Sequence, residues 1–412
     1  MDKLIKKEML NFASIKGNNN KYYQIELFEE SAGGYYVLIS YGRVGANPQI
    51  RKTSWGTLTA AENCFSKKLK EKLNKGYVAV ELRVDAPNTP VDAGAIDSVD
   101  EEDSVFTGEL QKVYSMLKNF TKDAQSHISK NVDSPLGALS DNQIDKATLV
   151  LDSIEHNLLH KTSFDIYTAS DEFYRLIPIR FGRKNPDALL INTLKKTVDY
   201  RALLDVMRSV VISGVGTPME DVYKNLGFSL KPLDTTEEDF LYISNYVENT
   251  QSKHHSFKIN IQNIFKVDND EWDKKFNPAN LETQYLFHGS RAENFMKIFQ
   301  SGLRIKPSGI HHTGSMFGNG IYFADQSSKS ANYTWNFSRH STKKGEKFYM
   351  LVCEVATGKM KDYESAQSSL VKAPDGYDSV RGVKGSHLLH NEIIVYNENQ
   401  SNIKYVIEFT AA

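Results

Sequence analysis

The chain is 412 residues long, 40% hydrophobic and 25% charged, with a formal net charge of −1 at pH 7. That is the make-up of an ordinary soluble globular protein with room for two to three domains. No apolar run approaches the roughly 18 residues that span a bilayer, and MDKLIKKEML at the start lacks the apolar core of a signal peptide. Cys64 and Cys353 are too few for a disulfide framework or a four-ligand zinc site, so a reducing, intracellular compartment is expected.

Residues 1–80 hold thirteen Lys and Arg against seven Asp and Glu, so this end is basic. Tyr22 to Phe28 and Tyr35 to Tyr41 are aromatic and β-branched runs that read as strands, with Gly33-Gly34 as the turn between them. Tyr41-Gly42-Arg43-Val44-Gly45 follows. Thr59 to Asn74 reads as a helix: Thr59-x-x-Glu62 forms a capping box, Phe65, Leu69 and Leu73 recur at i+4, and Gly76 is a stop. Arg43 with Lys52, Lys67, Lys68 and Lys70 could supply phosphate contacts, which add affinity without sequence information. Lysines kept for solubility are the plainer alternative.

Val84 to Gln111 contains no Lys or Arg but many Asp and Glu, with Pro87, Pro90 and Gly94 interrupting it. It reads as an acidic flexible linker. From about Leu110 to Thr250 the signals are mostly helical. Ser140-x-x-Gln143 caps a helix whose Ile144, Ala147, Leu151, Ile154 and Leu158 share one face. Leu189 to Val211 reads as a second helix, stopped at Gly214. Thr235-x-x-Glu238 caps a third, carrying Phe240, Ile243 and Val247. Gly214-Val215-Gly216 follows a helix rather than a strand, so it is a loop and not a dinucleotide fingerprint.

From about Lys253 onward the pattern is strand-rich: Ile259 to Phe265, Gln284 to His288, Ile321 to Phe323, Phe348 to Val355, Glu392 to Tyr396 and Tyr405 to Phe409. A helix is expected from Ala292 to Phe299, ending at Gly302, and a short one in Lys329–Tyr333. Asn319-Gly320 reads as a type I′ hairpin turn. His254-His255 and His311-His312 do not suggest a metal, because adjacent strand residues face opposite ways and no Cys or Asp completes a set nearby. His288, Tyr322 and Glu392 each sit in or beside a different strand. Three strands contributing one side chain apiece is a way to assemble a cleft.

The runs His288-Gly289-Ser290, GLRI, TGSMFGNGIYFADQSSKSANY and NEIIVY resemble the catalytic domain of the poly(ADP-ribose) polymerases. The strands, YGRVG turn and helix near the start are similar to that family's WGR domain, which binds DNA ends; Tyr41 stands where the tryptophan would be. SPLGALSDNQIDKA and SDEFYRLIPIRFG resemble its helical regulatory domain. The resemblance implies an α+β chain: a WGR-like sheet-and-helix module at 1–84, the acidic linker at 85–109, an all-α regulatory bundle at 110–250, and a split antiparallel-sheet ADP-ribosyltransferase domain at 251–412.

It also implies NAD as substrate, no metal, and release of nicotinamide by substitution at ribose C1. Glu392, Tyr322 and His288 would be the catalytic set. Glu392 would stabilise the oxocarbenium-like sugar, and His288 would anchor the adenosine-side ribose. Gly289 would meet the carboxamide through its backbone, Ser330 would hydrogen-bond it, and Tyr322 and Tyr333 would sandwich the ring. Ser290, Arg304, Ala324 and Lys329 complete the expected NAD contacts. Tyr41, Gly42 and Arg43 would face DNA. Implied partners are DNA ends or nicks and acceptor proteins, including the chain itself through its acidic linker. No membrane partner is expected, and an accessory protein is left open. The compartment follows as nucleus in a eukaryote, or cytoplasm with the nucleoid in a bacterium. Ser315 and His390 occupy positions where family members commonly carry tyrosine beside the acceptor, which leaves polymer length open between chains and single units. A catalytically silent DNA-end scaffold is the non-enzymatic alternative.

Overall fold

The computed structural model describes residues 2–81, 106–131, 139–181, 185–213, 218–276, 278, 281–305, 316–335, 345–385 and 387–411. The acidic linker up to residue 105, Gly214-Val215-Gly216, His311-His312 and Ser315 lie outside these residues. The chain divides into two compact units, Met1–Asp97 with Gln125–Gly216, and Ser98–Ala124 with Thr217–Ala412.

The first unit begins with β1 (Lys3–Ser14), β2 (Asn19–Glu29), β3 (Tyr35–Arg43) and β4 (Gln49–Trp55), then α1 (Leu58–Asn74) and β5 (Val78–Ala79). They form one antiparallel sheet ordered β4-β3-β2-β1-β5. Gly33 and Gly34 take positive φ at the β2–β3 turn, as the glycine pair implies. The cap of helix α1 lies two residues before its sequence signal. Thr57, not Thr59, is the N-cap, its hydroxyl accepting from the Ala60 amide.

Because side chains alternate along a strand, this sheet supplies two different cores. Leu10, Tyr23, Ile25, Leu27, Val37 and Ile39 pack under Ala61 and Phe65 of α1. Met9, Ala13, Tyr22 and Val44 face the other way, into the core of the helices α3 (Asp141–His160), α4 (Ile166–Leu176) and α6 (Leu194–Ser213). Helix α2 (Leu110–Asn131) precedes these, and the division between the two units falls within it. The buried amide of Asn11 donates to the Tyr174 carbonyl at 2.8 Å, and Arg175 donates back to the Ala13 carbonyl at 3.1 Å.

Ser140 caps α3 as its sequence motif requires, and Ile144, Ala147, Leu151 and Ile154 are fully buried. Leu189 to Val211 is not one helix. Short α5 (Pro186–Leu189) stops, Leu190 turns extended, and α6 begins after Thr193, whose hydroxyl accepts from the Lys196 amide. The Lys196 ammonium takes up the Ala188 and Leu190 carbonyls left at the break. Buried Glu155 is held by Arg201 at 2.9 Å, and that guanidinium also reaches Asp152.

The second unit continues with α7 (Met219–Asn225), β6 (Ser229–Pro232), α8 (Glu238–Asn249), β7 (Ile259–Asp268), α9 (Asp270–Lys275), β8 (Thr283–Gly289), α10 (Phe295–Ser301), β9 (Ile321–Phe323) and α11 (Ser327–Ala331). Then come β10 (Lys347–Ala356), β11 (Met360–Tyr363), β12 (Ser379–Gly382), β13 (Glu392–Val395) and β14 (Ser401–Ala411). Two sheets result, ordered β6-β7-β14-β10-β8 and β11-β12-β13-β9. Paired backbone hydrogen bonds between Phe287 and Ala324, 2.9 and 3.0 Å long, join β8 to the end of β9. The sheet is therefore split at this point, and the gap beside the joint is where the cleft opens.

Helix α8 covers one face of the larger sheet through Ile243 and Val247, with Phe240 and Tyr246 packed alongside. Its N-cap is Glu237 and not Thr235. On Tyr349, by contrast, rest Phe120 of α2 (ring centroids 4.6 Å apart) and Phe295 of α10. Asn119 donates to the Tyr349 hydroxyl at 2.9 Å, which donates in turn to buried Glu408. Asn319-Gly320 is not a hairpin turn. Neither residue has positive φ; Gly318 does, at +75°. Strand β9 pairs with distant β13 instead of a neighbour in sequence. Gly320 is small for a different reason: a Cβ there would stand 2.4 Å from the Ile394 side chain.

Candidate active site

A cavity of about 170 Å³ opens beside the joint between β8 and β9. His288 and Gly289 from β8, Tyr322 and Phe323 from β9 with Ala324 just after it, Lys329 and Ser330 from α11, Tyr333, and Glu392 at the head of β13 line it. Residues up to 104 positions apart in sequence thus share one hollow because β8, β9 and β13 lie side by side.

Each wall is fixed by local chemistry. His288 is bonded through Nδ1 to the Tyr322 carbonyl at 2.9 Å. A carbonyl can only accept, so Nδ1 carries the proton and Nε2 is left as the acceptor of the neutral ring. Burial pushes the His288 pKa below its usual value, which keeps the ring neutral. The Tyr322 hydroxyl donates to the Gly318 carbonyl at 2.7 Å and accepts from the Phe317 amide at 3.0 Å. Ring and loop therefore hold one another in place. The Ser330 hydroxyl donates to the Phe287 carbonyl at 3.0 Å, which seats α11 on β8.

Gly289 is the tightest point. A Cβ there would fall 1.8 Å from the Ser330 carbonyl oxygen and 3.2 Å from the Tyr333 Cβ. Alternate strand residues turn their backbone groups to the same edge. Gly289 therefore directs its N–H and C=O to the edge where Phe287 meets Ala324, into the cleft.

Glu392 is the charged centre. Its Oε1 is 2.9 Å from Lys329 Nζ, and both side chains are only 12% exposed. Lys329 also donates to the Asn391 carbonyl at 3.0 Å and the His390 carbonyl at 3.4 Å, so it fixes the entry of β13. Burial lowers the Lys329 pKa, and Glu392 opposes that shift. The second oxygen, Glu392 Oε2, is buried with no hydrogen-bond partner among the described residues. A buried acceptor without a partner costs about 1–3 kcal/mol, so its retention here points to a ligand group that completes it.

Two expected contacts are placed elsewhere. Arg304 is 60% exposed and pairs with Glu398 at 3.1 Å, and Ser290 accepts from the Asn294 amide at 3.1 Å. Neither lines the cavity. Phe323, which does, is not expected there from strand alternation with Tyr322; its ring meets that of His288 edge to face at 5.9 Å. In the WGR-like module, Tyr41 stacks obliquely on Tyr23, and Arg43 is bonded to the Asn18 carbonyl and side chain. Lys52 and Lys68 are paired with Glu30 and Glu71, while Lys67 and Lys70 are exposed.

A second hollow of about 280 Å³ adjoins the Glu392 side of the cleft. Lys253, His254, Lys384, His390 and Asn391 are among its walls. His254 and His255 lie in a loop, not a strand, so both rings approach His390, at 5.9 and 5.0 Å between centroids. Alternation of faces therefore does not apply to this pair. Among the described residues no group of three His, Cys, Asp or Glu side chains is arranged to hold a metal ion.

The burial of His288 gives a pH dependence. Its folded pKa lies below the unfolded value near 6.5, so the unfolded chain binds the proton first and stability is lost as pH falls below about 6.5. The thermal midpoint of His288→Gln is expected to fall less steeply between pH 7.5 and 5.5 than that of the parent. The difference reaches at most about 1.4 kcal/mol per pH unit. Parallel curves would show that this ring does not titrate differently on folding.

A sheet split between β8 and β9, antiparallel except for the parallel β11–β12 pair, with a His–Tyr–Glu cleft and preceded in sequence by a WGR-type sheet and a helical bundle, defines an ADP-ribosyltransferase-type architecture. Three family descriptions match the chain in order: WGR domain over residues 6–83, poly(ADP-ribose) polymerase regulatory domain over 104–214, and poly(ADP-ribose) polymerase catalytic domain over 237–387. The chain belongs to the poly(ADP-ribose) polymerase family. It is 31% identical to a poly [ADP-ribose] polymerase of Drosophila melanogaster, across 97% of this chain and 45% of that one. It is 29% identical to poly [ADP-ribose] polymerase 2 of Arabidopsis thaliana and 28% identical to that of Homo sapiens, across 97% of this chain and 72% and 78% of theirs. It thus spans less than half the length of the Drosophila relative. Among the described residues no helix is long and apolar enough to cross a membrane.

Proposed function

We propose that this chain transfers ADP-ribose from NAD to protein acceptors, including itself, and extends the product into a polymer in response to DNA breaks. The observation that carries the proposal is Glu392 Oε2, a buried carboxylate oxygen without a partner in a cleft walled by Tyr322, Tyr333 and Gly289. Nicotinamide leaves NAD from an already cationic ring, so no general acid is required to expel it. What the reaction needs is charge stabilisation at a sugar that becomes positive.

The roles follow from the atoms available. Tyr322 and Tyr333 hold the ring by stacking, and the Gly289 backbone meets the carboxamide. His288 Nε2 accepts from an adenosine-side ribose hydroxyl. Ala324, Lys329 and Ser330 shape the pocket floor, with Lys329 steering the Glu392 carboxylate. As the C1–N bond of NAD breaks, its electrons leave with nicotinamide. Glu392 stabilises the sugar cation, and an acceptor oxygen or nitrogen attacks C1 and gives up its proton. The basic hollow beside Glu392, rimmed by Lys253, His254, Lys384 and His390, is the approach for that acceptor. Arg304 reaches the adenosine portion once its pair with Glu398 opens, and Ser290 offers its hydroxyl on the same side.

The basic module at residues 1–84 binds DNA ends through Tyr41, Gly42, Arg43 and neighbouring lysines, and the regulatory helices at 110–250 couple that binding to the catalytic domain at 251–412. In a eukaryote this places the chain in the nucleus; in a bacterium, at the nucleoid. The test is nicotinamide release with and without nicked DNA over a range of salt. Release is expected to rise at least ~10-fold with nicked DNA, and DNA affinity to fall linearly in log–log salt plots, by about 0.9 per phosphate neutralised. Equal rates with and without DNA would end the coupling proposal, and a flat salt response would end the role given to the basic module.

A further inference from the structure

The face of β10 that meets α8 should be apolar throughout. Phe348, Met350 and Val352 alternate onto it and are buried in the core that α8 covers. The next residue in that row is Glu354. Directly across from it on β8 is Tyr285. A carboxylate thus continues an apolar row, half-buried, and it makes no hydrogen bond or ion pair with any described residue.

Glu354 is one wall of a hollow of about 480 Å³ whose others are Tyr242, Tyr246, Thr283, Gln284 and Tyr285. The tyrosines are set edge to face, with 6.2 Å between the Tyr242 and Tyr285 centroids. Tyr246 is locked in place by its hydroxyl, which donates to the Tyr285 carbonyl at 2.5 Å, and by stacking on Phe287 at 4.7 Å. Tyr242 is 55% exposed and Leu241 beside it 51%. Nearby charges are mutually satisfied: Lys266 pairs with Asp239 at 2.8 Å. No described cation is paired with Glu354.

Aromatic faces carry negative potential and attract cations, and a desolvated carboxylate does so more strongly. Three tyrosines around one unpaired carboxylate form a receptor for a cationic side chain. We propose that this hollow docks an arginine or lysine of a basic polypeptide segment. An arginine suits it best, because its planar fork can pair with Glu354 while stacking on Tyr242. The site is separate from the NAD cleft. It would give the enzyme a handle on basic partner proteins that does not involve the reacting atoms, and it stands whether or not the proposed NAD chemistry does.

The test uses the full chain and a fluorescein-labelled nine-residue peptide with a single arginine flanked by Gly and Ser, followed by anisotropy. The parent is expected to bind measurably above an Arg→Ala peptide. Glu354→Gln and Tyr242→Ala are each expected to weaken binding at least ~10-fold, with nicotinamide release from NAD alone unchanged. Glu364→Gln, an exposed acid elsewhere, serves as a control for diffuse attraction. Binding unaffected by Glu354→Gln and Tyr242→Ala would overturn the proposal, and so would equal losses in the Glu364→Gln control. Self-association of the parent that Tyr242→Ala abolishes, without peptide binding, would assign the hollow to a second copy of the chain and overturn it as well.

Discussion

Glu392→Gln is expected to lower ADP-ribose transfer by about 10²–10³-fold, equivalent to about 3–4 kcal/mol of transition-state stabilisation. The substitution keeps size, shape and a hydrogen-bonding oxygen. It removes the charge that the proposed mechanism sets against the sugar. The fold should tolerate it, because Lys329 retains the Asn391 and His390 carbonyls as partners. The experiment follows labelled NAD into product, with chain length read on a gel and a thermal melt to report on folding. Transfer and elongation at the parent rate, in a variant with an unchanged melt, would remove Glu392 from the mechanism. Loss of long chains with single additions retained would place its main contribution on the acceptor side.

Gly289→Ala is expected to have a comparably large effect for a purely steric reason. The glycine does not have positive φ, so backbone strain is not the obstacle. The obstacle is a Cβ placed 1.8 Å from the Ser330 carbonyl oxygen and 2.8 Å from its carbon. Backbone cannot rotate aside as a flexible side chain can. Helix α11 would have to leave β8, breaking the Ser330–Phe287 hydrogen bond and displacing Lys329 from Glu392. Overpacking of this kind costs about 1–3 kcal/mol in stability. NAD labelling should fall by ~100-fold or more, since the Gly289 backbone and the Glu392 carboxylate, the two groups the proposed mechanism sets against the carboxamide and the sugar, move together. Gly56→Ala is the control, because a Cβ at that position meets nothing within 4 Å. Normal NAD labelling by Gly289→Ala would show that the close approach is not needed for substrate.

Which parts of this molecule could be read from its residues depended on the range of the interaction concerned. The Ser140 cap and the buried face of α3 follow from positions three and four apart, and both are as the spacing implies. The strands bearing His288, Tyr322 and Glu392 follow from alternation and composition. The caps expected at Thr59 and Thr235 lie two residues away, at Thr57, whose hydroxyl accepts from the Ala60 amide, and at Glu237, whose side chain makes no capping bond. Asn319-Gly320 has the composition of a hairpin, but β9 finds its partner in β13, over seventy residues later. No local rule contains that information.

By itself the sequence determined the kinds of elements, their order and the family to which they belong, since these depend on periodicity and on short runs of chemically specific residues. Only the tertiary structure decided that Lys329 grips one oxygen of Glu392 and leaves the other bare, that Gly289 must have no side chain, that Val44 of the YGRVG turn is buried among helices, and that Glu354 stands uncompensated among tyrosines. Each of those facts is a meeting of segments that are remote along the chain. Such meetings are fixed by which sheet edges pair and which faces are covered, and the packing energy that selects them belongs to the whole fold.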